Sequence, residues 1–361
     1  MSDLTGYHHR LSLLRSALLV HNLDTILIYG DRKSPGFIRW LLGVPSRSGG
    51  TYVACSKETC VIFEIAYRTA DLPADIALDV IQVGDEDLYP EILQARLGST
   101  KRIGLLGPLP ASHIIALQNT ELIDLSKLMP EVLTTKTEHE IDALRALAAD
   151  TSASLKDLSK HITCGCSEEQ LARRLLHSVV DCGATLAFPL SLVSGERLKR
   201  STVGNPTDRI LRSGDAILVD CGLLRDGLIS DCTRMFFVGD SPLAQHYDAL
   251  CTAHTNVMAK LTPGLVLQTI VDLYHHHLNL AGLPDSTLEE LDLGHGIGFE
   301  LHEYPMLVRP STKNVILTPG MLLTLEPEIT VAGFKLRVED MLAVHATGLE
   351  VLTCTASISS T

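Results

Sequence analysis

Five acids and imidazoles stand where apolar residues would be expected. Asp220 closes the run Ile217-Leu218-Val219, and Asp231 closes a second run eleven residues later, beyond the turn Asp226-Gly227. His295 lies among glycines in Leu293-Gly-His-Gly-Ile-Gly-Phe299. Glu326 follows the apolar run 321–325 and precedes Pro327, and Glu339 sits in the alternating segment 336–342, two residues after Arg337. A carboxylate in an apolar strand is costly unless it is paired or bound to a metal. Two such acids on neighbouring strands suggest a shared cation, and the five residues together predict an oxygen-rich site with one imidazole. Four carboxylates and one nitrogen suit two divalent cations bridged by carboxylate and hydroxide. Manganese, cobalt or zinc would fit. A calcium cage would not need the histidine, and a structural zinc would use cysteine.

Each residue also has a plainer reading. A lone acid at a strand end is more often a turn or surface residue, and His302 alone reads equally as a packed histidine. Cys221 and Cys232 read as small core fillers. Glu303 and Asp340, adjacent to the site residues, read as supporting or surface acids. The run His275-His276-His277 and the pair His8-His9 read as solvated helix faces, and Trp40 as a core anchor. The joint occurrence of five such positions carries the metal reading.

The surrounding elements follow from periodicity. Apolar residues at helical spacing predict a helix over 3–22. Strands are predicted at 25–29, 51–55, 60–64, 80–83 and 103–106, with helices near 88–97 and 111–120, which makes the first third an α/β domain. Pro130 ends it, and Thr134-Thr135-Lys136-Thr137-Glu138 reads as a linker into a helix. Thr137 with Glu140 predicts a capping box. Helices over 138–161 and 167–182 are followed by strands at 186–193, at the two acid-bearing runs and at 234–238. Helices over 242–261 and 265–280 are followed by strands at 321–325, 335–344 and 350–352. Two helices then strands, twice, hints at an internal duplication.

The totals bound the rest. The chain has 361 residues, 45% hydrophobic, with net charge -13 and no extended basic cluster, which argues against nucleic acid as partner. There is no Gly-x-Gly-x-x-Gly after a strand, no phosphate loop and no apolar run long enough for a membrane span. The polar start and nine cysteines in a long chain predict reduced thiols in a cytoplasmic protein.

With these residues in place, the second domain resembles the metallopeptidases of the pita-bread fold, a group that includes methionine aminopeptidase, prolidase, aminopeptidase P and the non-metal creatinase. The resemblance rests on Pro206-Thr-Asp-Arg209 with Ser213-Gly-Asp215, Val219-Asp-Cys-Gly222, Ser230-Asp-Cys-Thr-Arg234, Gly294-His-Gly-Ile-Gly298, His302-Glu303, Leu325-Glu-Pro327 and Arg337-Val-Glu-Asp340, in that order. It implies a creatinase/prolidase-like N-terminal domain over 1–133 and an α+β pita-bread catalytic domain over 134–361. It implies Asp220, Asp231, His295, Glu326 and Glu339 as the ligands of two divalent metals, and a bridging hydroxide as nucleophile. Asp231 would bridge the metals, and Glu326 would also accept the proton of the bridging water. His302 would hold the substrate carbonyl or the oxyanion, and Arg337 would fix a ligand carboxylate. A homodimer is implied as well.

One position departs from the pattern. Prolidase-type members carry a substrate-binding histidine seventeen residues before the first aspartate, where this chain has Val203. Two readings of the substrate follow: an Xaa-Pro dipeptide or short peptide, or a non-peptide amide or cyclic amidine, as in the ectoine-hydrolysing relatives. A non-catalytic binding protein of the same fold would have lost ligands, and none of the five is missing.

Overall fold

Apolar runs bounded by turn residues become the strands of the first unit. The structure is a computed structural model that describes residues 4–46, 50–65, 78–283, 288, 293–307 and 314–353. Asp3, the predicted start of the first helix, lies outside them. The chain divides into Met1–Leu133 with Asp226–Leu228, and Thr134–Arg225 with Ile229–Thr361.

The first unit runs α1 (Leu4–Val20), β1 (Thr25–Gly30), α2 (Gly36–Leu42), β2 (Thr51–Cys55), β3 (Cys60–Ile65), β4 (Asp79–Val83), α3 (Tyr89–Leu97), β5 (Arg102–Leu106), α4 (Ala111–Ala116), β6 (Glu121–Asp124) and α5 (Leu125–Leu128). Among the described residues these strands form one mixed sheet in the order β4-β3-β2-β1-β5-β6. Every residue of β1 and β2 is buried, as expected of a sheet covered on both faces. Leu27, Tyr29, Tyr52, Phe63, Leu93 and Ile103 pack in one core cluster. Trp40 is buried, in keeping with a core anchor. β6 escaped sequence reading because only its two central residues are apolar and neither is fully buried. Cys55 and Cys60 are register partners across the β2–β3 hairpin and form a disulfide. This departs from the all-thiol expectation, because spacing alone does not reveal that a hairpin brings the two sulfurs together.

The second unit opens with α6 (Glu138–Ser159) and α7 (Glu168–Asp181), both closed by capping boxes, Thr137 with Glu140 and Ser167 with Gln170. Strands follow at β7 (Thr185–Leu186), β8 (Ser191–Ser194), β9 (Ala216–Asp220), β10 (Leu223–Arg225), β11 (Leu228–Ile229) and β12 (Thr233–Phe237). The helices α8 (Ala244–Met258) and α9 (Thr269–Leu280) come next. The unit ends with β13 (His295–Gly296), β14 (Glu303–Met306), β15 (Leu322–Leu325), β16 (Glu328–Val331), β17 (Phe334–Arg337), β18 (Asp340–His345) and β19 (Gly348–Val351). One sheet has the order β12-β9-β8, another β14-β13-β15-β18-β19, and β16 pairs with β17 as a hairpin. α8 and α9 pack their apolar faces into a core with β9, β12, β15 and β18, through Leu250, Val257, Tyr274, Leu218, Met235, Leu323 and Leu342.

Several expectations are corrected. Asp231 is not the end of a strand: it lies between β11 and β12, one residue past Ser230 and two before Thr233. The run 335–344 is two strands broken at Val338 and Glu339. The stretch 134–138 is not a free linker. Thr135 bridges to Met321, the Lys136 amide donates to the Gly320 carbonyl (2.9 Å), and the Lys136 side chain is fully buried. In the His275–His277 run, His277 is buried, since its helical position turns it onto the same face as Tyr274 and Leu278.

Candidate metal centre

The broken strands supply the chemistry. Asp220 ends β9 opposite Thr233 of β12, half-buried beneath the fully buried run that precedes it. Asp231, His295, Glu326 and Glu339 are all buried. Gly294 and Gly296 flank His295, and a Cβ on either would lie 2.1 Å from the Thr324 carbonyl oxygen or 2.5 Å from that of Tyr304. Only glycine lets these backbones approach so closely. The His295 amide donates to Thr324 Oγ1 (3.1 Å), and its Nδ1 lies 3.0 Å from the Gly296 carbonyl oxygen. That carbonyl fixes the proton on Nδ1 and leaves the Nε2 lone pair facing the acids. Nε2 is 3.7 Å from Glu326 Oε1 and 4.0 Å from Asp231 Oδ2. Burial, then the neighbouring His302, holds the His295 imidazole down at about 4, so it is neutral near pH 7.

The carboxylates are held by backbone geometry. The Glu326 amide donates to the Leu293 carbonyl (3.0 Å), and the Glu339 amide to the Thr233 carbonyl (3.1 Å). Thr233 Oγ1 donates to Glu339 Oε2 (2.8 Å). Burial first, and then the charges of neighbouring carboxylates, push Asp231 and Glu339 well above the usual carboxylate range. Burial also raises Asp220, with Arg337 pulling the other way.

Asp220 Oδ1, Asp231 Oδ1 and Glu339 Oε1 are buried with no hydrogen-bond partner. Ionised carboxylate oxygens only accept, and buried polar atoms normally find donors. Here no protein donor is supplied. Ligand atoms of Asp231, His295 and Glu339 all lie within 4.8 Å of one another. Three orphaned carboxylate oxygens around a neutral imidazole fit a divalent cation. Asp220 stands outside that tight trio, and Glu326 reaches it through His295.

The other sequence-designated residues are placed as follows. Arg337 sets NH1 3.1 Å from Glu326 Oε2 and NH2 2.9 Å from Glu328 Oε2. His302 is exposed, its ring centroid 4.4 Å from that of His295. Glu303 and Asp340 are not surface acids but buried. Glu303 Oε1 accepts from the amides of Phe299 (2.6 Å) and Glu300 (2.9 Å), and its other oxygen pairs with Lys136. Cys221 and Cys232 are buried, as core fillers would be.

Sequence reading missed Glu328. It is a buried acid two residues past Glu326, holding Arg337, Lys335 Nζ (2.5 Å) and Thr202 Oγ1 (2.7 Å). Its signal was the alternating basic pair Lys335 and Arg337 opposite it on β17. Thr202 ties the loop of Val203 to this cluster, and the Val203 side chain is exposed.

The first unit is an α/β domain, and the second is a pita-bread domain that carries the buried carboxylate–imidazole centre. The sequence profile of Metallopeptidase family M24 matches residues 142–346, more than half of the chain. The chain belongs to that family. An uncharacterized peptidase of Staphylococcus aureus is 28% identical over 234 residues, 64% of this chain and 65% of that relative, so the match spans less than two thirds of its length. The Xaa-Pro dipeptidase of Pyrococcus furiosus is 25% identical over 317 residues, 85% of this chain and 88% of the relative. The crystal structure of the prolidase from Pyrococcus horikoshii superposes with a TM-score of 0.81 over 96% of this chain and 98% of that one, at 21% identity, which shows the shared fold.

Proposed function

We propose that the chain is a hydrolase with two divalent metal ions that cleaves the C–N amide bond of Xaa-Pro dipeptides or short peptides. The observation that carries this reading is the set of buried carboxylate oxygens without protein donors around the His295 imidazole. Asp220, Asp231, His295, Glu326 and Glu339 would hold the metals, with Asp231 shared between them. When bound, the cations lower the pKa of a coordinated water and polarise the scissile carbonyl. Manganese is the proposed working ion, and the proposed solution state is a homodimer.

The chain's own residues have separate tasks. Glu326 takes the proton released by the attacking water, its other oxygen held by Arg337. His302, exposed beside His295, donates to the substrate carbonyl oxygen or to the oxyanion that develops there. Arg337 neutralises Glu326 and Glu328 together, so neither carboxylate drifts from the site.

Position 203 favours a second reading of the substrate. An exposed valine cannot donate a hydrogen bond or a proton where prolidase-type members use histidine. The second reading is a non-peptide amide or cyclic amidine as substrate. Assay of Gly-Pro and Ala-Pro beside ectoine-like cyclic amidines, each with manganese, separates the readings. Turnover of a proline dipeptide supports the first; turnover of the amidines alone replaces it with the second.

A further inference from the structure

A buried polar network runs from the helices to the back of the ligand Glu339, and the metal chemistry above makes no use of it. Asp340, the residue after Glu339, is almost fully buried. Its Oδ1 accepts from Arg234 NH2 and from Thr353 Oγ1. Its Oδ2 lies 3.2 Å from Nε2 of His254, which projects from α8. The other ring nitrogen of His254 lies 2.7 Å from the hydroxyl of Tyr274 on α9. The two rings stack with an interplanar angle of 10°. One proton arrangement satisfies every partner: Tyr274 O–H donates to Nδ1, and Nε2–H donates to Asp340. Arg234 completes the frame, since its NH1 donates to the carbonyls of both Glu339 and Thr233.

We infer that His254, backed by Tyr274, is a positioning residue for the metal centre: it anchors Asp340 so that Glu339, its neighbour in the chain, is presented to the cation. The reason is local. Successive extended residues project to opposite sides, so fixing Asp340 against the helix layer aims Glu339 away from it. The strand pairing is broken at Val338 and Glu339, where the bond from the Glu339 amide to the Thr233 carbonyl stands in place of a ladder, and Asp340 adds a side-chain anchor next to it. Asp340 is also the register partner of Leu325, the residue before the ligand Glu326. One anchored side chain thus supports two of the metal-binding acids. Groups that hold ligands from outside the coordination sphere commonly change metal affinity by about 10–100-fold when removed.

The inference rests on the proposed metal reading, and its test reads metal binding rather than turnover. Manganese and cobalt are titrated calorimetrically into metal-free wild type, His254→Phe, Tyr274→Phe and His254→Gln, with His246→Ala, a half-buried position in the first turn of α8, as control. Thermal midpoints of the metal-free proteins are measured alongside. The expected result is manganese affinity about 10-fold weaker in His254→Phe, a smaller loss in Tyr274→Phe, recovery of most of the affinity in His254→Gln, and no change in His246→Ala. A purely structural role would lower the metal-free midpoint and leave the affinity of the folded variants at the wild-type value, which would overturn the inference. Tyr274→Phe removes a single hydroxyl and keeps the test open if His254→Phe does not fold. Wild type that binds neither metal would overturn the metal reading itself, and that result is seen without any substitution.

Discussion

Arg337 places one guanidinium nitrogen 3.1 Å from Glu326 and the other 2.9 Å from Glu328. A single planar fork thus serves an acid proposed to bind metal and a second buried acid. Lysine is a point charge and cannot span both. Arg337→Lys is expected to lower kcat/KM by about 10–100-fold, the range for losing a partner of a ligand, with circular dichroism unchanged. Steady-state kinetics at saturating manganese checks this.

Metal-free protein carries a cluster of buried acids whose charges oppose one another. Asp231→Asn and Glu339→Gln each replace an acid whose ionised form burial and the neighbouring carboxylates disfavour. Each is expected to raise the thermal midpoint of the metal-free protein and to abolish the further rise that manganese gives wild type. Calorimetric scans with and without metal read both effects. A metal-free midpoint that falls in both variants would contradict the account of the cluster.

Glu168 is fully buried and accepts from the Ser194 amide (3.0 Å) and hydroxyl (2.6 Å) and from the Thr207 amide (2.9 Å) and hydroxyl (2.7 Å), with Arg197 as its ion-pair partner. Glu168→Ala leaves that arginine without its buried anion and is expected to cost about 3–5 kcal/mol. Urea denaturation measures it.

In the first unit, His113 is buried against the Tyr52 hydroxyl, and burial holds its imidazole below the ordinary value. Below that ordinary value the unfolded chain binds a proton that the folded state refuses, so stability is lost as pH falls. Wild type is expected to lose more stability than His113→Gln between about pH 7.5 and about pH 5.5, on either side of the ordinary histidine value. Denaturation midpoints of the two proteins at both pH values test the difference.

Much of this was legible in the chain because apolar context makes an acid or histidine conspicuous. Asp220, Glu326 and Glu339 stand out by interrupting hydrophobic runs, and His295 by its glycines. Thr137 announces its helix through a capping box that the structure contains. What was not legible depends on partners distant in sequence. Lys136 read as linker because Glu303, its ion-pair partner, lies 167 residues away. Glu328 went unremarked and Asp340 read as a supporting or surface acid because Thr202, Arg234 and His254 converge on them only after folding. The Cys55–Cys60 bridge needed the hairpin register. Periodicity likewise joined β17 to β18, since the break at Glu339 comes from pairing and not from a turn residue.

The central claim is that the acids around His295 exist to hold metal. Inductively coupled plasma mass spectrometry on protein reconstituted with manganese and then desalted measures this directly. The account predicts two metal ions per chain in wild type and loss of bound metal in Asp231→Asn. A wild-type protein that retains no metal would contradict it.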